Sequence, residues 1–225
     1  VVTAETARGS LGSAPHDAAA VAAARARLAP GGRTGTTEVD GASLFIHVVR
    51  PHAFDVVLFG NGHVGRALVQ VLGALPCRVR WIDEREHDFP ATVPDNVEIV
   101  ATDAPAAEVA DAPRGAYVVV MTHSHDLDFD IVEAALERHD WAYLGLIGSK
   151  PKRAQFERRL AARGAPEIEL ARVTCPIGAH SGLSSKEPGA IAVGVAAEML
   201  GVRERLRAAP ESSTVRALPR RQERT

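Results

Sequence analysis

The chain has 225 residues, 46% of them hydrophobic and 24% charged, with a formal net charge of −2. That balance suits a soluble globular protein with room for one full domain and a small addition, and it gives no general electrostatic pull toward nucleic acid or an anionic membrane. Aromatic residues make up 4%, too few for base-stacking platforms, and the two cysteines, Cys77 and Cys175, have no metal-ligand spacing. Unpaired thiols suit a reducing, cytoplasmic compartment. No apolar run approaches the roughly 20 residues that cross a bilayer, and the polar, acidic start Val1-Val2-Thr3-Ala4-Glu5-Thr6 has no signal-peptide pattern.

Residues 1–52 read as a small α+β piece. Gly9-Ser10-Leu11-Gly12-Ser13-Ala14-Pro15 is turn-rich, residues 18–28 form an alanine-rich helix, and Pro30-Gly31-Gly32 ends it. Glu38-Val39-Asp40-Gly41 reads as a hairpin turn into an apolar strand over 42–49. A piece of this length buries too little surface to be comfortable alone, so it is expected to pack on the main domain or a second subunit, with a boundary near Pro51.

Residues 53–203 alternate strand and helix. Strands are expected at 56–59, 78–83, 97–101, 116–121 and 142–147, with a short one at 171–174. Helices are expected at 63–75, 126–139, 150–163 and 187–200, the last stopped by Gly201. Strands separated by helices imply right-handed crossovers and a Rossmann-like, doubly wound parallel α/β sheet. The last helix is apolar nearly all round, which points to burial or a partner chain and hence a homodimer. Residues 204–225 read as a polar tail.

The strand at 56–59 runs into Gly60-Asn61-Gly62-His63-Val64-Gly65, the spacing that seats a phosphate on a helix N-terminus. Asp83 closes the second strand, 18 residues past Gly65. An acid there accepts hydrogen bonds from a ribose, or is simply a solvated carboxylate. His63 lies in the first helical turn, against a phosphate or in water. In Thr122-His123-Ser124-His125-Asp126 the metal reading fails, because the metallo-hydrolase spacing wants an aspartate where Leu127 stands. Ser124 or Asp126 capping the next helix, with or without ligand contact by His123 and His125, remains. Gly148-Ser149-Lys150-Pro151 reads as an N-cap and first turn whose dipole favours an anion near Lys150. Cys175-Pro176-Ile177-Gly178 offers either a soft thiol contact or a buried, inert cysteine. Every one of these turns follows a strand, so all are expected at the carboxyl edge of one sheet, around an anionic ligand such as a phosphate ester.

These segments resemble the xanthine dehydrogenase accessory protein family, XdhC/CoxI type. The matching stretches are residues 58–68 (Leu-Phe-Gly-Asn-Gly-His-Val-Gly-Arg-Ala-Leu), 75–83, 121–126, 143–150, 152–160 and Cys175-Pro176-Ile177-Gly178 with Lys186-Glu187-Pro188. Together they span roughly residues 44–200. The resemblance implies a chaperone without turnover of its own. It would bind molybdenum cofactor (molybdopterin), protect it during sulfuration and deliver it to a xanthine dehydrogenase-type molybdenum hydroxylase, with a cysteine desulfurase as second partner. Gly60, Gly62 and Gly65 would cradle phosphate and Lys150 neutralise it, while His63, His123, His125 and Cys175 approach the ring or metal end. The family's N-terminal Gly-Gly-Gly-x-Leu-Glu-like turn is replaced here by residues 9–16, and its Cys-Gly-Gly segment is absent. Two other readings of the residues stand beside it: an NAD(P)-dependent oxidoreductase with His123 or His125 as proton donor, and a nucleotide-binding module without chemistry.

Overall fold

The computed structural model describes residues 1–29, 32–49, 52–183 and 185–208. The chain divides into two compact units, Val1–Pro51 and His52–Thr225. The first contains α1 (Ala14–Leu28) and the antiparallel hairpin β1 (Gly35–Val39) and β2 (Ala42–Ile46). Asp40 and Gly41 at its tip have φ of 49° and 77°, the paired positive values that match a two-residue turn to strand twist. Ala20 and Val39 are the buried apolar side chains among this unit's described residues, whereas Phe45 is 66% exposed. A cleft of about 610 Å³, with Val21, Leu28, Leu44 and Ile46 in its walls, lies inside the unit. The sequence pattern held for the turn, and the helix starts earlier than expected because Pro15 suits a first turn.

The second unit is built on five parallel strands, β3 (Phe54–Phe59), β4 (Cys77–Asp83), β5 (Val97–Ala101), β6 (Tyr117–Val120) and β7 (Tyr143–Leu146), in the order β5-β4-β3-β6-β7. The helices are α2 (His63–Gly73), α3 (His125–Arg138), α4 (Lys150–Ala162), α5 (Glu167–Arg172) and α6 (Pro188–Ala208). Alternate residues of β3 feed two cores. Val56 and Leu58 pack with Leu68 and Leu72 of α2 and Val195 and Met199 of α6. Val57 and Phe59 pack with Phe129 and Ile131 of α3 and Phe156 of α4. Both faces are covered, which is why residues 56–59 of β3 and the whole of β6 read as unbroken apolar runs. Each buried large apolar side chain contributes about 1.5–3 kcal/mol relative to exposure.

Three expectations need correction. Residues 171–174 do not form a strand: Leu170 and Val173, three apart and both buried, sit at the end of α5, and Thr174 alone bridges to Gly145. Gly201 does not stop the last helix, which runs to Ala208. A glycine ends a helix by turning left-handed, and Gly201 is not among the positive-φ glycines. The residues after it are good helix formers, and Arg203 lies over the Phe54 ring at 5.1 Å. Within the chain α6 leaves Val193 of its apolar stretch 50% exposed, the side that the partner-chain alternative would bury. The tail expected from residue 204 is helical to Ala208, and the rest of it, 209–225, lies outside the described residues.

Candidate functional site at the carboxyl edge

Strand order reverses between β3 and β6, so their carboxyl ends flank the crevice where wound sheets take ligands. Gly60, Gly62 and Gly65 divide the work there. Gly60 has φ of 115°, and a Cβ on it would lie 2.2 Å from the Met121 carbonyl oxygen. Its own carbonyl accepts from Trp81 Nε1 at 3.0 Å. A Cβ on Gly65 would fall 2.2 Å from that same Gly60 oxygen. Protein atoms fill the space at both. A Cβ on Gly62, the residue before α2, would meet nothing within 4 Å. The backbone is therefore bare at the start of α2, which has no side-chain cap, whereas Ser124 caps α3 through the Leu127 N–H and Ser149 caps α4 through the Lys152 N–H. Between the first two glycines, Asn61 is 2% exposed. Its Oδ1 accepts from Arg66 Nε at 3.1 Å, and its Nδ2 has no partner among the described residues.

Asp83, at the end of β4, is 4% exposed. Its Oδ2 accepts from the Asn61 N–H at 2.6 Å and Arg85 Nη2 at 2.9 Å. Its Oδ1 accepts from the Arg85 N–H at 2.9 Å and Arg85 Nε at 2.8 Å. A carboxylate has about four lone-pair sites, so a ribose could be read by Asp83 only after Arg85 moved. Burial raises the pKa of Asp83, but the Arg85 guanidinium and the two backbone N–H groups outweigh it and hold the carboxyl below its ordinary range.

The turn after β6 meets the glycine turn and is locked from the other side. Met121 N–H continues the ladder to the Phe59 carbonyl at 2.9 Å, and Ile147 N–H reaches the Val120 carbonyl at 2.8 Å. Asp128, fully buried in the first turn of α3, accepts from the Thr122 N–H at 2.9 Å, and Thr122 Oγ1 lies 2.8 Å from the same oxygen. Its other oxygen takes Lys152 Nζ at 2.6 Å, and Lys152 also donates to the Ile147 carbonyl at 3.0 Å. One ion pair thus ties the β6 turn, the β7 turn and α4 together. His123 Nε2 stands 3.3 Å from Glu84 Oε1, linking the β6 turn to the end of β4.

The structure brings the glycine turn, Asp83, His123, Ser124 and the β7 turn to one edge. Of the two cap candidates, Ser124 takes the role and Asp126 does not. Ser149 caps α4 as expected, while Lys150 is exposed and Lys152 is the cation folded into the edge. His63 and His125 are exposed. Cys175 is 5% exposed and packs with Leu146, Phe156 and Val173. A Cβ on Gly148 would lie 3.3 Å from its sulfur. Burial raises the Cys175 pKa against the opposing charges of Lys152 and Arg153, so the thiol is a packing group here rather than a soft contact. Gly178 is held to α6, its N–H donating to Glu198 Oε2 at 2.8 Å. Among the described residues no three His, Cys, Asp or Glu side chains gather as a metal site.

Sequence reading passed over Asn61, Arg66, Arg85, Asp128 and Lys152. Arg85 is two residues from the acid at the strand end, a signal that was available. Asp128 and Lys152 are 24 residues apart, and nothing local marks them as partners.

The YqeB protein of Escherichia coli K12, itself uncharacterized, is 30% identical over 161 residues, which is 70% of this chain and 28% of YqeB. A solved xanthine dehydrogenase structure from Bacillus halodurans shares the fold, with a TM-score of 0.58 and 22% identity over 71% of this chain and 45% of that one. The chain therefore spans less than half the length of either. The XdhC Rossmann domain family matches residues 56–199, from β3 into α6. Carrying that family's domain across the whole of its wound sheet, this chain belongs to the XdhC family.

Proposed function

We propose that this chain is an accessory module for a molybdenum hydroxylase, binding molybdenum cofactor by its phosphate and handing it to a xanthine dehydrogenase-type partner. The observation that carries the reading is the bare backbone at Gly62. It stands at the positive end of α2 between two glycines whose space the protein fills. The orphaned Nδ2 of Asn61 in the same turn and the guanidinium of Arg66 in the first turn of α2 add to the preference for an anion. Membership of the XdhC family supports the identity of the cargo and of its recipient.

In this role Gly62, the first N–H groups of α2 and Arg66 hold the phosphate, while His63, His123 and His125 border the crevice toward the rest of the ligand. The chain needs to make no bond, and its residues bind, orient and exclude water. A cysteine desulfurase and a second copy of the chain complete the proposed partners, the latter resting on Val193, exposed in the apolar stretch of α6. No helix among the described residues is long and apolar enough to cross a membrane, and a cytoplasmic setting fits the two free thiols.

The test is transfer. Protein loaded with molybdenum cofactor is mixed with apo-hydroxylase, and hydroxylase activity is followed. Wild type should restore activity, and Gly62→Asp should bind no cofactor while melting like wild type, because its carboxylate occupies the phosphate position. Undiminished transfer by Gly62→Asp would remove the glycine turn from the site. Saturable NAD(P) binding with turnover of an alcohol would favour the oxidoreductase reading instead.

A further inference from the structure

We propose that the Asp83–Arg85 pair closes the ribose position of this crevice, so that the glycine turn takes a terminal phosphomonoester and discriminates against dinucleotides. This rests on the glycine-turn reading and narrows its ligand class. In a dinucleotide site the acid at the end of the second strand must keep acceptors for the ribose hydroxyls, with the pyrophosphate on the glycine turn beside it. Here all four acceptor sites of that acid are taken, three by Arg85 and one by the Asn61 N–H. Arg85 is further held by Asp88 Oδ2 at 3.2 Å from its Nη1. A ribose diol would have to displace a two-point guanidinium–carboxylate pair, among the stronger hydrogen-bonded arrangements proteins make.

The same pair alters the charge seen by the ligand. An isolated carboxylate at this place repels a phosphate. Paired with Arg85, which it shares with Asp88, it repels a phosphate less, and Arg66 is anchored nearby through Asn61 and the Asp88 carbonyl. With the β4 side shut, the body of the ligand lies toward the β6 and β7 turns, the side bordered by His123 and Gly148. A phosphate ending one arm of the ligand fits this arrangement. A phosphate carrying a second nucleoside toward β4 does not.

Calorimetric titration of the whole chain with phenyl phosphate, NAD and NAD lacking the adenosine 2′-hydroxyl tests this. Wild type should bind phenyl phosphate, and bind the two dinucleotides equally and no tighter. Arg85→Ala frees Asp83, so NAD should tighten about tenfold or more and become dependent on the 2′-hydroxyl. Arg85→Lys, which keeps the charge and loses the fork, should shift the same way by less, and it carries the test if Arg85→Ala melts early. Tight NAD binding by wild type that weakens about tenfold without the 2′-hydroxyl overturns the inference alone, as does NAD affinity unmoved in both Arg85 variants. Absence of phenyl phosphate binding, or binding that survives Gly62→Asp, overturns the glycine-turn reading and this inference with it.

Discussion

Asp83 and Asp128 are both carboxylates buried at the carboxyl edge of one sheet, 4% and 0% exposed, and both are supplied with donors by neighbouring turns. They differ in what the cation opposite can do. Arg85 is two residues from Asp83 along the chain, and its side chain is 36% exposed, so it covers Asp83 from the solvent side of the edge. Lys152 comes to Asp128 from another helix and is 9% exposed, wedged between the β6 and β7 turns. Asp83 therefore has its partner at the mouth of the crevice, suited to deciding what the crevice admits, whereas Asp128 has one locked inside, suited to keeping the crevice in shape. Charged pairs on one rim can serve selection or construction, and the exposure of the cation separates the two.

The largest effect that would break this comparison is on stability. Lys152→Met strands the Asp128 carboxylate in the interior and should cost about 3–5 kcal/mol, read as a fall in the urea midpoint. Arg85→Met leaves Asp83 with its backbone donors and a partly solvated opening, and should cost about 1 kcal/mol. Equal losses from the two would erase the distinction.

The glycines supply the next contrast. Gly60→Ala forces a methyl to within 2.2 Å of the Met121 carbonyl, and crowding of that kind costs about 1–3 kcal/mol before the positive-φ strain is added. Gly62→Ala, with no protein atom in the way, should stay within about 0.5 kcal/mol of wild type by the same denaturation measurement. Its effect should fall on phosphate affinity instead.

A smaller effect distinguishes Asp83 by pH. Its folded-state pKa is lowered, so the stability it contributes is complete above the unfolded value of about 3.9 and is lost as pH falls through the lowered folded value. The stability gap between wild type and Asp83→Asn should accordingly be constant near neutrality and shrink below about pH 4. A gap independent of pH down to acid unfolding would show that Asp83 is not held ionised by Arg85. The slightest effect is on thiol reactivity. Burial pushes the Cys77 thiol up to about 11 and raises that of Cys175 as well, so both stay protonated at pH 8. Neither should react with a disulfide reagent until guanidinium is added. Rapid labelling of Cys175 in the native protein would mean that the Lys152 side of the edge is less closed than Asp128 makes it.

The wound sheet was legible because its determinants are local. Residues 56–59 and 117–120 are unbroken apolar runs, helices follow β3, β6 and β7, and three glycines stand where a strand turns into a helix. The weak points had causes that are not local. Residues 171–174 read as a strand because the helical turn through Arg172, which buries Leu170, could not be seen; Val173 and Thr174 are where the chain becomes extended. Gly201 looked like a stop because the packing of Arg203 on Phe54 lay 149 positions away along the chain.

The amino-acid sequence by itself determined the repeating architecture, the position of the glycine turn and the edge at which the chemistry-bearing turns collect. Strand propensity, helix signals and topology rules act over a few residues, or are forced by chain geometry. Only the tertiary structure decided which side chains at that edge remain available. It spent the acceptors of Asp83 on Arg85, turned Cys175 into the core, replaced Lys150 by Lys152 as the inward cation, and left Gly62 bare. Those outcomes depend on which lone pairs and N–H groups meet in space, and burial makes each such meeting compulsory, because a polar group removed from water must find a partner wherever the fold brings one.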